Sequence, residues 1–207
     1  MNECSFTTRE NRMMTNSDKR ADIIQAALEL IADRGFHGAP MSAIADKAHV
    51  AAGTIYRYFE NKDVLINELF LELENNVIGV LLHDYPSGKP VHDQFFHVFG
   101  ELCRYLISHP LHFRYMEQYF NSPYGISKRR DKLVGKKIDP DGHDTLIGIF
   151  QEGISQQILK DLPLIVLSSL AIGPMLYLIR DHTLGFVALD DSLILQITEA
   201  CWDAIKR

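Results

Sequence analysis

The residues with the clearest capacity for chemistry lie together in the run Ala52-Gly53-Thr54-Ile55-Tyr56-Arg57-Tyr58-Phe59, with Asn61 and Lys62 just beyond. Read as a short helix, the run sets Ile55 and Phe59, four apart, on one buried side. Ala52, Gly53, Thr54, Tyr56, Arg57 and Tyr58 then point away from the core. Small residues at a helix start allow close approach to another surface, while a hydroxyl, phenols, a guanidinium and the Lys62 ammonium can hydrogen-bond phosphates and base edges. This face has the chemistry of a DNA reader. Taken singly, Tyr56 and Tyr58 could instead pack as surface residues on the next helix. Their spacing with Gly53, Thr54 and Lys62 favours DNA, with Arg57 serving either a base or a phosphate.

Positioning such a face takes two short helices and a tight turn. The apolar period gives one helix at 41–47, with Ile44, Ala45 and Ala48 inward, and a second at 53–59, with Val50 as the apolar residue of the turn between them. A longer helix precedes them, carrying Ile24, Ala27, Leu28 and Ile31 at helical spacing and closed by Gly35. Asn61 is placed to cap a long following helix with the stripe Leu65 or Ile66, Leu69, Phe70, Leu73, Val77 and Leu81.

The chain carries 27 acidic and 21 basic residues, a formal net charge of -6, which excludes coating nucleic acid by bulk charge alone. The distribution matters more than the total. Met1 to Asp63 holds eight basic and nine acidic residues, and Lys47 to Lys62 holds three against one, so the local sign suits DNA but is small. Cys4, Cys103 and Cys201 show no paired spacing, the first twenty residues hold no apolar signal core, and a reducing cytoplasm is the expected setting. The stretch from Leu162 to Ile179 is uncharged, but its prolines, its serines and the lack of one-sided basic flanks argue against a membrane span.

The remaining pattern is helical, with no β-period run. After the turn at 85–90 a helix lined by Phe95, Val98, Phe99, Leu102, Cys103 and Leu106 ends at His109-Pro110, where another starts with Pro110 in a tolerated first-turn position, and helices follow at about 143–159, 163–181 and 191–206, with Asp190 or Asp191 capping the last. The expectation is an all-α chain of about nine helices. Asn121 to Gly125 reads as a break, and Ser127 to Lys137, with six basic residues and one acid, as a solvated connector that could alternatively draw an anionic effector.

The block G-T-I-Y-R-Y-F-x-N-K-x-x-L at Gly53 to Leu65, within the stretch from Asp22 to Leu69, closely resembles the TetR/AcrR family of bacterial transcription regulators. Beyond Leu69 the resemblance is one of length, helical content and layout. It implies a recognition helix in the major groove, with Thr54, Tyr56, Tyr58 and Lys62 on phosphates, Arg57 reaching bases and Phe59 packing. Three positions depart from the family pattern. His49 stands for the usual turn glycine and tolerates left-handed backbone; Ala51 and Pro40 stand where capping hydroxyls are common, which puts phosphate contacts there in doubt and weakens the recognition-helix start by about 1 kcal/mol.

The resemblance also implies a flexible arm at 1–16, in which Arg9 and Arg12 could reach a minor groove, a DNA-binding domain at 17–64, and an effector-binding and dimerisation domain at 65–207. Phe95, Phe99, Cys103, Phe113, Met116, Phe120, Leu146, Phe150 and Ile154 are the candidate lining of an apolar ligand pocket, against the plain alternative that such stripes are core. The helices at 163–181 and 191–206, the second through Leu193 or Ile194, Ile197, Cys201 and Ala204, are the expected homodimer interface. His109 and His112 share a face but lack a third metal ligand, and His97 and His182 read as structural histidines. No catalytic residue, metal or cofactor is expected, since the sequence holds no nucleophile elbow, phosphate loop, paired metal motif or carboxylate pair. The functional expectation is a homodimeric repressor that binds double-stranded operator DNA and is released by a small apolar or aromatic effector. The alternative is an all-helical small-molecule carrier without a DNA function.

Overall fold

A computed structural model describes residues 16–134 and 145–207 and places ten helices among them. In order they are α1 (Asn16–Gly38), α2 (Met41–Lys47), α3 (Ala52–Tyr58), α4 (Lys62–Leu82), α5 (Val91–Ser108), α6 (Pro110–Phe120), α7 (Pro123–Val134), α8 (Thr145–Ser155), α9 (Leu164–Thr183) and α10 (Asp191–Ile205). They form two compact units, 1–66 and 67–207, with the division inside α4. The N-terminal arm with Arg9 and Arg12, Cys4, and the start of the expected helix at 143 lie outside the described residues.

In the first unit α1 buries Ile23, Ile24, Ala27, Leu28 and Ile31, and its regular backbone is interrupted at Gly35, which sits at φ 72°. That region is open to glycine at little cost, which is why the helix turns there. Ile44 and Ala45 of α2, Ile55 of α3 and Phe59 beyond it are fully buried, so three short amphipathic faces share one small core. α4 is capped as its sequence suggests: the Val64 N–H donates to the Asn61 side-chain oxygen at 3.0 Å.

The second unit is a helical bundle around Val91, Phe95, Val98, Phe99, Cys103, Phe113 and Phe150 of α5, α6 and α8, with Leu167, Ala171, Met175 and Ile179 of α9 and Ile194, Cys201, Trp202 and Ile205 of α10. α10 is capped by Asp190, whose carboxylate accepts from the Leu193 N–H at 2.8 Å.

Three features differ from the sequence reading. The tenth helix is α7, in the segment read as a break and a solvated connector: only Asn121 and Ser122 interrupt the helices, and Pro123 opens the next. Its stripe is polar, which hides it from an apolar-period search. Gly125 lets it lie tightly on α6, since a Cβ there would stand 2.3 Å from the Tyr119 carbonyl oxygen. α8 stops at Ser155 rather than running to 159; Gln157 turns left-handed at φ 59° and Leu159 forms a short antiparallel bridge with Lys206. The stripe of α10 assigned to a dimer interface mostly faces the chain's own core, with Ile194 and Cys201 at 4% exposure and Leu193 and Ile197 packed against the cluster. Periodicity reports that a face is buried, not against what.

Candidate functional site

The DNA-reading candidates sit on a rigid base. Ile55 is fully buried and pins the centre of α3, and Phe59, just past its end, is fully buried with the Arg20 guanidinium 5.5 Å from its ring centroid. With those anchors inward, Ala52, Gly53, Tyr56 and Arg57 are exposed and Thr54 and Tyr58 half-buried. Tyr56 keeps 56% of its surface in solvent, unusual for an aromatic that has no partner surface to meet. A Cβ built on Gly53 would meet nothing within 4 Å, so this glycine is not demanded by internal packing.

The turn before α3 holds the conformation expected of it: His49 sits at φ 54° and its N–H donates to the Asp46 carbonyl at 3.1 Å. Neither Pro40 nor Ala51 supplies a side-chain cap; each is an extended N-cap whose backbone alone starts the helix. At Ala51 the carbonyl accepts from the Thr54 N–H at 2.7 Å.

The charges near this face are differently available. Lys47 is spent within the protein, 2.7 Å from Glu29, and that ion pair together with the Gln25 amide holds the Glu29 carboxyl below its usual range. Lys62 is half-buried and donates to the Phe36 carbonyl, and burial pulls its ammonium below the ordinary lysine range. Arg57 is exposed at the end of α3. The local +2 of the sequence therefore rests mainly on Arg57, with Lys62 able to offer its remaining protons.

Of the effector candidates, Phe95, Phe99, Cys103, Phe113 and Phe150 are at 1% exposure or less, and Met116, Leu146 and Ile154 pack against that core. Phe95 and Phe99 have ring centroids 5.2 Å apart, so a ligand among them has to part packed rings. Phe120 stands apart from this cluster, edge-on to Phe70 at 5.4 Å. Burial pushes the Cys103 and Cys201 thiols up to about 11, which leaves both unreactive near neutral pH.

Four of the histidines make internal contacts. His112 Nδ1 lies 2.7 Å from the Tyr105 hydroxyl, His109 Nδ1 lies 2.9 Å from the Tyr105 carbonyl, and the two imidazoles stack at 5.0 Å. His97 contacts the Leu81 carbonyl at 3.2 Å, and His182 accepts from the Leu189 N–H at 3.2 Å. Among the described residues no group of three or more His, Cys, Asp or Glu is placed to hold a metal.

A family model described as bacterial regulatory proteins of the tetR family matches residues 23–69, and one described as a tetracyclin repressor-like C-terminal domain matches 90–206, more than half of the chain. The chain belongs to the TetR family. It is thus a member of a family of non-enzymatic, DNA-binding transcription regulators, and the carrier alternative gives way. An uncharacterized HTH-type transcriptional regulator of Haemophilus influenzae is 30% identical over 107 residues, 52% of this chain and 57% of that relative, so the chain spans little more than half the relative's length. A TetR family regulator from Marinobacter aquaeolei superposes with a TM-score of 0.78 at 24% identity, covering 91% of this chain and 95% of that one. FadR from Bacillus subtilis, solved in complex with stearoyl-CoA, superposes with a TM-score of 0.70 at 24% identity, covering 89% and 98%. The two superpositions speak to the fold.

Proposed function

We propose that this TetR family member is a homodimeric repressor that leaves its operator when an apolar or aromatic effector binds the second unit. The observation that carries the reading is the exposed polar face of α3 standing on a fully buried anchor. Ala52 and Gly53 let the helix start approach the duplex, Thr54, Tyr56, Tyr58 and Lys62 take phosphates, and Arg57 reaches a base edge or a further phosphate. In this division of labour residues 17–64 read DNA and 65–207 sense and dimerise, in the cytoplasm.

Support for the dimer comes from α9, among the described residues the one helix long and apolar enough by length and composition to cross a membrane. Leu167, Ala171, Met175 and Ile179 bury one side in the core, while Val166, Leu170, Gly173 and Tyr177 remain exposed at helical spacing on another. An exposed apolar stripe of this kind is stabilised by a second copy. Two recognition helices then need half-sites about 34 Å apart or a multiple of it. The stearoyl-CoA held by FadR, a neighbour in fold, supports effector binding in the second unit, where the ring cluster of α5, α6 and α8 supplies an apolar lining. An effector releases DNA only by binding the non-operator conformation more tightly, and α4, which runs from Lys62 to Leu82, is the element to carry the change.

The test is a mobility-shift assay on DNA selected from a random duplex pool. Tyr56→Ala combined with Lys62→Ala abolishes the shift while leaving dimer and helical content intact. An unchanged shift refutes the assignment of the reading face.

A further inference from the structure

The turn between α2 and α3 carries a side chain that the proposed DNA contacts leave unused. His49 sits at φ 54°, its N–H donates to the Asp46 carbonyl at 3.1 Å, and the next N–H, of Val50, donates to the Ala45 carbonyl at 3.0 Å. This is the left-handed close of a helix, where glycine costs least because it has no Cβ. Here the position holds an imidazole instead. The two backbone hydrogen bonds fix its Cα, so only the side-chain torsions remain free.

The imidazole is exposed and makes no hydrogen bond, ion pair or ring contact among the described residues. Residues 48–53 read Ala-His-Val-Ala-Ala-Gly, so His49 is the one polar side chain between Lys47 and Thr54. It lies three residues before Ala52, hence within about 11 Å of the start of α3. Ala51, Ala52 and Gly53 are exposed along that path, with nothing longer than a methyl group to offer. When the start of α3 approaches a duplex, the nearest side chain ahead of it that can meet a phosphate is His49.

The groups that face the ring are Asp22, Gln25 and Glu29 of α1 and Lys47 of α2, which line one hollow with it. Asp46, exposed at the end of α2, is not among them. Glu29 is neutralised by Lys47 at 2.7 Å, which leaves Asp22 as the facing charge without an ion pair among the described residues. A phosphate brought to the exposed side of the ring adds a second anion and favours the imidazolium further.

We propose that His49 is a further DNA-contacting residue, which holds a phosphate in its protonated form and makes operator affinity depend on pH between about 5 and 8, the range in which histidine changes charge. The imidazolium N–H donates a charge-assisted hydrogen bond to a phosphate oxygen. Because the phosphate favours the protonated ring, DNA binding takes up a proton, so affinity is highest at the acid end and falls as pH rises. Arg57 stays charged throughout and adds no pH dependence of its own. The inference rests on the reading of α3 as the DNA-facing helix.

The test is fluorescence anisotropy of the full chain on a duplex selected from a random pool, at pH 6 and pH 8 and across about 50 to 200 mM salt at each. A dimer engages two His49 rings, so binding is about tenfold or more tighter at pH 6, and the slope of log Kobs against log salt is steeper there by about 1.8. His49→Asn, which accepts the left-handed backbone and takes up no proton, loses both differences. His49→Gly, the least strained choice at that φ, does the same. Circular dichroism checks that each variant keeps its helices at both pH values. His37→Gln, at the other histidine of residues 1–66, retains both differences. Wild-type affinity equal within about twofold at the two pH values, or a pH difference that survives His49→Asn and His49→Gly, overturns the role of His49 and leaves the reading face standing. A chain that binds no duplex at either pH overturns both.

Discussion

The salt dependence of operator binding follows from which cations at the reading face are available. Lys47 is paired with Glu29 and Lys62 with the Phe36 carbonyl, which leaves Arg57 as the one cation of the 47–62 segment with no such commitment. A dimer offering only Arg57 neutralises two phosphates, and the slope of log Kobs against log salt is about -1.8 at the ~0.9 counterions released per contact. If each Lys62 also turns a proton to a phosphate, the slope reaches about -3.6. Between 50 and 200 mM salt these limits correspond to losses of roughly tenfold and 150-fold in affinity. Fluorescence anisotropy on a selected operator, titrated across that range, reads the slope. Arg57→Gln flattens it by about 2, and Lys62→Met by anything from nothing to about 2 according to how far Lys62 leaves Phe36. A wild-type slope steeper than about -6 would mean that phosphates are neutralised elsewhere and would refute this account of the reading face.

Three further outcomes are expected. Asn61→Ala removes the α4 cap and costs about 1 kcal/mol, while Ala51→Ser supplies α3 with the cap it lacks and returns a similar amount; thermal melts should shift by roughly 2–4 °C in opposite directions. Burial, with His109 adding to it, lowers the His112 pKa, so this histidine supports the fold fully above its unfolded value near 6.5 and ever less as pH falls below it. Melting temperature therefore drops on acidification from pH 7 toward 5, and His112→Phe, which cannot take up that proton, shows a shallower drop; equal slopes would contradict the linkage. Leu170→Glu with Tyr177→Glu on the exposed face of α9 yields a monomer by sedimentation with helical content retained, whereas an unchanged sedimentation coefficient would place the interface elsewhere.

The short helices of the first unit were legible because their signals are local. Ile55 and Phe59 four apart, Asn61 one residue before α4 and His49 in the turn each act within one helical turn, and each holds in the structure the position that its type suggests. The second unit was legible in its helices but less so in their neighbours. α7 escaped because a helix whose stripe is Tyr124, Ser127 and Lys128 has no apolar period; it is held by the Lys128 pair with Glu74, 54 positions earlier, and by the close seat of Gly125 on α6.

The sequence alone determined the class of the protein: the period of its apolar residues makes it all-helical, and the spacing of Gly53 to Lys62 sets the polar face of α3 that the proposed function assigns to DNA. Tertiary structure decided which buried stripes serve the chain's own core and which faces stay open. It turned Ile194 and Cys201 of α10 inward and left Val166, Leu170 and Tyr177 of α9 outward. It also decided which charges are available, committing Lys47 and Lys62 to partners 18 and 26 positions away. The physical reason is the same in each case. Periodicity and residue type are properties of a few consecutive residues, whereas burial and charge pairing depend on which distant segment arrives to cover them.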